Sequence, residues 1–313
     1  MADLNLHPAQ TAPAKTLLVV AGPTAVGKTA VAIEVAQQLG TYIVSADSRQ
    51  CYKEMTIGTA KPDREELQAV KHYFIDEFPL TQALSAADYE KLALTYLDEV
   101  FATHDIAVLS GGTGLYIKAL CEGLDEMPQV NETIVQQTEA EYAAGGIEWL
   151  QTTVSKEDPE FYAEAEIHNP ARMLRALSFI RTTGQSITHY RTQIKKQRPF
   201  RIIKVGLELP RELLYERINM RVDKMIADGL EAEVYNLLPY KQLKNLQTVG
   251  YQELFDLKDG VYTSRTEAID KIKQHTRNYA KRQMTLFKKD KEIHWLRADD
   301  KDVAGKIIAL LQM

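Results

Sequence analysis

Six short apolar runs punctuate the chain: Leu17 to Ala21, Tyr42 to Ala46, a brief one from about Tyr73 to Asp76, Ile106 to Ser110, Arg201 to Leu207 and Ile293 to Leu296. Such runs, bounded by turn residues, predict buried strands. Between them, apolar residues return every three or four positions over Ala30 to Leu39, Ser85 to His104, Pro170 to Thr183, Pro210 to Ala227 and a long stretch from Ser264, the spacing of helices with one buried face. Ser85 with Asp88, and Ser264 with Glu267, stand at the spacing of N-terminal capping boxes. Strand and helix patterns alternate, which predicts an α/β fold with a parallel sheet flanked by helices.

The alternation breaks once. From about Pro128 to Thr192 the patterns are helical, with a chain reversal expected at Gly145-Gly146. This predicts a helical insertion domain, 128–192, within a core formed by 16–127 and 193–313, after a loose tail, 1–15. The tail lacks the apolar centre of a signal peptide, and no stretch is long and apolar enough to span a membrane. Two cysteines, Cys51 and Cys121, make neither a disulfide framework nor a four-cysteine zinc site. A cytoplasmic location is the expectation.

The chemistry concentrates where the first run ends. Gly22-Pro23-Thr24-Ala25-Val26-Gly27-Lys28-Thr29 fits the P-loop pattern at every fixed position, preceded by a strand and followed by a helix. Its amides and Lys28 suit a diphosphate or triphosphate, and the Thr29 hydroxyl suits Mg²⁺. The second run delivers Asp47-Ser48-Arg49-Gln50 to the same sheet edge. Asp47 there is either a turn residue or a metal ligand or base. The fourth run ends in Ser110-Gly111-Gly112-Thr113, without the Asp with which many P-loop ATPases and GTPases organise Mg²⁺. Arg217 and Arg221 share one helix face by their four-residue spacing.

Net charge is −5, yet from His168 to Val205 there are nine Lys or Arg residues and no Asp or Glu. Such a run is either a solvated face or a surface for a polyanion.

Several separated motifs together are specific: Asp47-Ser48-Arg49-Gln50, Ile57-Gly58-Thr59-Ala60-Lys61-Pro62, Gly111 to Tyr116, Arg172 to Leu177, Arg217 to Val222, Val249 to Leu254 and Thr276 to Gln283. In this order, over nearly the whole chain, they resemble the bacterial tRNA dimethylallyltransferase family. Family members usually carry a His-Pro-Asn type sequence where this chain reads His168-Asn169-Pro170.

The resemblance implies a P-loop NTPase-like core that binds dimethylallyl diphosphate in place of a nucleotide, with Mg²⁺ at Thr29. It also implies that the insertion helps to hold the anticodon stem-loop of tRNA. Asp47 is then the base that takes a proton from the exocyclic amine of adenine, Thr113 orients that amine, and Arg217 stabilises the departing diphosphate. The residues implied to contact tRNA are Asp47, Ser48, Arg49 and Gln50, then Ala171, Arg172, Met173, Leu174 and Arg175, then Gly250 and Tyr251, and on the long helix Arg277, Lys281 and Arg282. Three rivals remain open: a small-molecule or nucleotide kinase, a prenyltransferase acting on free AMP, and a non-catalytic RNA-binding module with a vestigial P-loop. No protein partner is evident.

Overall fold

A computed structural model of the chain describes residues 15–192 and 194–312. The expected tail therefore lies outside the described residues except for Lys15, whose ammonium pairs with Asp105 at 2.8 Å.

Six parallel strands form one sheet in the order β3-β2-β4-β1-β5-β6. They are β1 (Thr16–Ala21), β2 (Ile43–Ser45), β3 (His72–Tyr73), β4 (Ile106–Gly111), β5 (Arg201–Glu208) and β6 (Ile293–Arg297). Alternation along β1 serves two cores at once. Leu17, Val19 and Ala21 pack on one face of the sheet and Leu18 and Val20 on the other. Helix α1 (Lys28–Leu39) covers the second face with Val31, Ala32, Val35 and Ala36. The first face is covered by a helix over Ala86–Phe101, through Tyr89, Ala93, Leu97 and Val100. With both faces covered, strands without polar alternation are what burial selects.

Most predicted elements stand where the periodicity places them, and the capping chemistry explains their starts. At Ser85 the box is complete, with Ser85 Oγ accepting from Asp88 N and the Asp88 carboxylate accepting from Ser85 N. At Ser264 it is displaced by one residue: Ser264 Oγ accepts from Glu267 N, but the Glu267 carboxylate reaches the amide and hydroxyl of Thr263. The Gly-Gly-Thr turn after β4 runs directly into a helix, Gly114–Glu122, that the periodicity does not announce.

The chain divides into two compact units, residues 123–196 and the rest. The division falls a few residues outside 128–192 because Gly123 to Met127 and the segment after Thr192 belong with the helical unit; Thr192 is hydrogen-bonded to Asp125 within it. That unit has its own core, in which Leu150, Val154, Phe161, Met173, Leu177 and Phe179 pack together. Its first helical stretch, Glu132–Glu157, is broken at Gly146 (φ 68°, ψ −165°). Arg181 pairs at 2.8 Å with both Glu141 and Glu157. On a straight helix those carboxylates would stand about 24 Å apart, so the chain doubles back at Gly146 as expected. Among the described residues no helix is long and apolar enough to cross a membrane.

Candidate active site

Parallel register brings the ends of three central strands together, with Val20 opposite Ser110, Ala21 opposite Gly111 and Ser45 opposite Ser110. The segments that follow, Gly22 to Thr29, Asp47 to Gln50 and Gly111 to Gly114, therefore share one edge of the sheet. A cavity of about 350 Å³ opens there, lined among others by Thr24, Lys28, Thr29, Asp47, Arg221 and Tyr279.

The phosphate loop is shaped for an anion. Gly27 sits at φ 105°, a conformation that favours glycine, and caps α1 without any side-chain hydrogen bond. The first-turn amides of α1 are left for a ligand. Lys28 donates to the Pro23 carbonyl at 2.7 Å. Burial, and then the neighbouring Arg221 charge, push the Lys28 ammonium down to about 7, with Asp47 acting in the opposite sense. Burial likewise disfavours the charged form of Arg221, again opposed by Asp47. Lys28, Arg49 and Arg221 around one small acid leave the cavity short of negative charge, which is the condition a diphosphate relieves.

Asp47 is both a turn residue and a cavity residue. Its Oδ1 accepts from the amides of Arg49 (2.9 Å) and Gln50 (3.3 Å), an Asx turn that fixes the carboxylate while it faces the cavity. Ser48, Arg49 and Gln50 line the cavity as well. Thr113 stands one step behind: its Oγ1 accepts from Ser48 N at 3.1 Å and lies 3.4 Å from Ser48 Oγ. Its observed contacts hold the 47–50 turn.

Arg217 reaches the loop from outside, Nη1 donating to the Val26 carbonyl at 3.2 Å, whereas Arg221, one helical turn on, lines the cavity. The four-residue spacing pointed to both, and only the fold separates their roles. Gln283 carried no signal beyond its place in a motif. Buried, it accepts from Thr24 N at 2.9 Å and donates to the Gly112 carbonyl at 2.8 Å, tying the long helix Arg265–Phe287 to the phosphate loop and to the turn after β4. The same helix exposes Lys281 and Arg282, while Arg277 donates to Asn219 at 2.7 Å.

Some expected tRNA contacts are corrected by burial. Met173 and Tyr251 are fully buried and serve packing; Gly250 is buried but lines the cavity. Leu174 packs partly against the helical unit's core, whereas Ala171, Arg172 and Arg175 are exposed. The basic run is not one surface either. Arg198 is enclosed with Glu90 (2.7 Å) and the carbonyls of Ala119 and Leu120, and Arg181 is held by Glu141 and Glu157. Arg172 has an exposed partner in Glu166 at 3.2 Å.

Two donor sets bear on a metal. Glu122, Asp290 and Glu292 present carboxylate oxygens within 4.8 Å of one another, a group that could hold a cation. The Lys204 ammonium already fills that role, at 2.8 Å from Asp290 and Glu292 and 3.5 Å from Glu122. In the cavity, the Thr29 hydroxyl and the Asp47 carboxylate are hard oxygen donors beside the phosphate loop, the donor chemistry that fits Mg²⁺.

Known proteins resemble this chain along most of its length. The family model described as IPP transferase matches residues 50–290. The tRNA dimethylallyltransferase of Christiangramia forsetii is 47% identical, over 91% of this chain and 94% of that protein. tRNA dimethylallyltransferase 1 of Bacteroides thetaiotaomicron is 45% identical, over 91% of this chain and 92% of that one. The crystal structure of a full-length tRNA isopentenylpyrophosphate transferase from Bacillus halodurans superposes with a TM-score of 0.69 at 34% identity, covering 95% of each chain.

Proposed function

The chain belongs to the IPP transferase family, and on that footing we propose that it moves a dimethylallyl group from dimethylallyl diphosphate to tRNA. The acceptor is the N6 amine of the adenosine on the 3′ side of the anticodon, and diphosphate is the second product. The observation that carries this reading is the convergence on one cavity of an amide-lined loop with Lys28 and Thr29, the fixed carboxylate of Asp47, and the Arg221 guanidinium.

The chemistry needs each part. The amine lone pair of adenine is delocalised into the ring, so a base must take a proton as the new bond forms. As the carbon–oxygen bond to diphosphate breaks and the carbon–nitrogen bond forms, the amine proton passes to the Asp47 carboxylate. Negative charge grows on the leaving diphosphate, where the loop amides, Lys28 and Arg221 stabilise it, with Arg217 holding the loop from behind. Thr113 keeps the acid in place through Ser48. The Thr29 hydroxyl would hold Mg²⁺, which when bound neutralises diphosphate charge. A cavity of this size admits a prenyl chain with one base, so the adenosine must leave its stack to enter. Exposed cations, Arg172 and Arg175 of the helical unit and Lys281 and Arg282 of the long helix, supply phosphate contacts for the anticodon stem-loop. The protein works in the cytoplasm in this reading, with Cys51 and Cys121 as buried thiols.

Incubation with radiolabelled dimethylallyl diphosphate, Mg²⁺ and unmodified tRNA tests this. Label is expected in RNA, on adenosine. In parallel reactions supplied with AMP or with ATP in place of tRNA, label in AMP with none in RNA, or ATP turnover without RNA, would replace the reading by one of its rivals.

A further inference from the structure

Part of the cavity wall, Gly58, Thr59 and Ala60, belongs to a segment, 56–61, that is neither helix nor strand. Three successive amides there point at one carboxylate. Glu233 Oε2 accepts from Thr56 N (3.1 Å) and Ile57 N (2.7 Å), and Oε1 accepts from Gly58 N (3.0 Å) and from the Tyr251 hydroxyl (2.6 Å). Four donors on two carboxylate oxygens make a charge-assisted anchor, stronger than the same bonds to a neutral acceptor. Burial, reinforced by Glu233, holds the Tyr251 phenol well above its ordinary range, so it remains a donor. Gly58 is pressed so closely on this phenol that a Cβ would fall 2.4 Å from the Tyr251 ring.

Beyond the anchor the backbone is strained. Ala60 takes φ 45°, in the left-handed region that disfavours a residue with a Cβ. Beside it two carbonyls face residues that line the cavity. The Gln50 side-chain amide donates to Thr59 O (3.1 Å) and Ala60 O (3.0 Å), and Arg221 Nη2 lies 3.5 Å from Thr59 O. Gln50 closes the Asx turn of Asp47, and Arg221 is the guanidinium in the cavity. A conformation of this kind persists only where its surroundings over-determine it. The surroundings here are Glu233 on the amides of 56–58, together with Ala60 N donating to Ile57 O (3.0 Å), Lys61 N to Thr56 O (3.2 Å) and the Lys61 ammonium to Tyr52 O (2.7 Å).

We infer that Glu233 is a positioning residue for the transfer reaction: by gathering the amides of Thr56, Ile57 and Gly58 it fixes the carbonyls that orient Gln50 and Arg221 about Asp47. The inference rests on the transfer reading above, so wild-type label transfer is measured first; its absence strikes that reading and leaves this one without a reaction to position.

The test is Glu233→Gln, which keeps size but turns an NH₂ toward donors that need an acceptor. Steady-state transfer at saturating donor, amide hydrogen exchange and thermal unfolding are measured on the full chain. The expected result is kcat lowered about tenfold with KM for tRNA within about twofold, and exchange at Thr56 to Gly58 accelerated while the sheet stays protected. Wild-type kcat in a variant whose 56–58 amides exchange faster would overturn the proposal, since the anchor would then be structural only. Unchanged exchange at those amides would overturn it too. Should Glu233→Gln fail to fold, Tyr251→Phe decides: it removes one donor from Oε1 and is expected to lower kcat about threefold with faster exchange at Gly58, and an unaltered kcat would sink the idea.

Discussion

Lys28 and Lys204 are both lysines enclosed by the same α/β unit, and their surroundings push them in opposite directions. At Lys204, on β5, burial alone would lower the ammonium's pKa, but hydrogen bonds to Asp290 and Glu292 outweigh it and hold the group well above the usual lysine range. At Lys28 burial is joined by the Arg221 charge, and the single Asp47 does not compensate. Inside a protein a cation with its full set of carboxylates is a structural part, whereas a cation crowded with another and offered too few acids is waiting for an anion. The same rule sorts the arginines. Arg198 with Glu90, and Arg181 with Glu141 and Glu157, are compensated; Arg221 in the cavity and the exposed Arg175 are not.

The sharpest way to break this contrast is to remove the acid on the under-compensated side. Asp47→Asn keeps the Asx turn's acceptor but not the base, and transfer should fall by about 10²-fold or more with tRNA affinity little changed. Near wild-type turnover would leave Asp47 with the turn alone. Next in size, Arg221→Ala should cost about tenfold or more in kcat/KM for dimethylallyl diphosphate, and Arg217→Ala less, because only Arg221 lines the cavity. Equal losses would mean that the helix face, and not the cavity, sets the effect.

For RNA, Arg172 and Arg175 changed together to Ala should reduce the salt dependence of tRNA binding by about one unit of slope for each phosphate they neutralise in the wild type. Arg181→Ala should leave the slope alone, since its charge is already matched. Smallest in activity is Lys204→Met: transfer should stay within about threefold of wild type while stability drops by about 2 kcal/mol, because the charge-assisted hydrogen bonds of the Lys204 ammonium to Asp290 and Glu292 are lost. Calorimetry and the label assay on one preparation check both halves. A loss of activity with normal stability would contradict the assignment.

How far the sequence carried these distinctions depended on range. The phosphate loop is a local object, eight residues with fixed chemistry between a strand and a helix, so Lys28 and Thr29 were legible at once. Helix Pro170–Thr183 was legible because Met173, Leu174, Leu177 and Ile180 recur along it at helical spacing. Compensation of charge is not local. The run from His168 to Val205 contains no acid, yet the partners of Arg198, Lys204 and Arg181 include Glu90, Asp290, Glu141 and Glu157, 24 to 108 residues away in sequence. Gln283 and Glu233 escaped for a related reason: their partners include backbone groups more than 170 residues distant, and backbone amides leave no mark in a sequence.

Lys28 carries the central claim, because an ammonium disfavoured by burial and by Arg221 regains its charge when an anion enters beside it. Calorimetric titration of dimethylallyl diphosphate into the protein at pH 8, in buffers of different ionisation enthalpy, counts the protons taken up on binding. About one unit above a pKa of about 7 the ammonium is roughly nine-tenths neutral, and an anionic ligand favours its protonated form. Wild type should therefore bind with uptake of close to one proton beyond that of Lys28→Met, and its affinity should weaken relative to that variant's as pH rises from 6 to 8. Identical proton uptake by the two proteins would contradict the account.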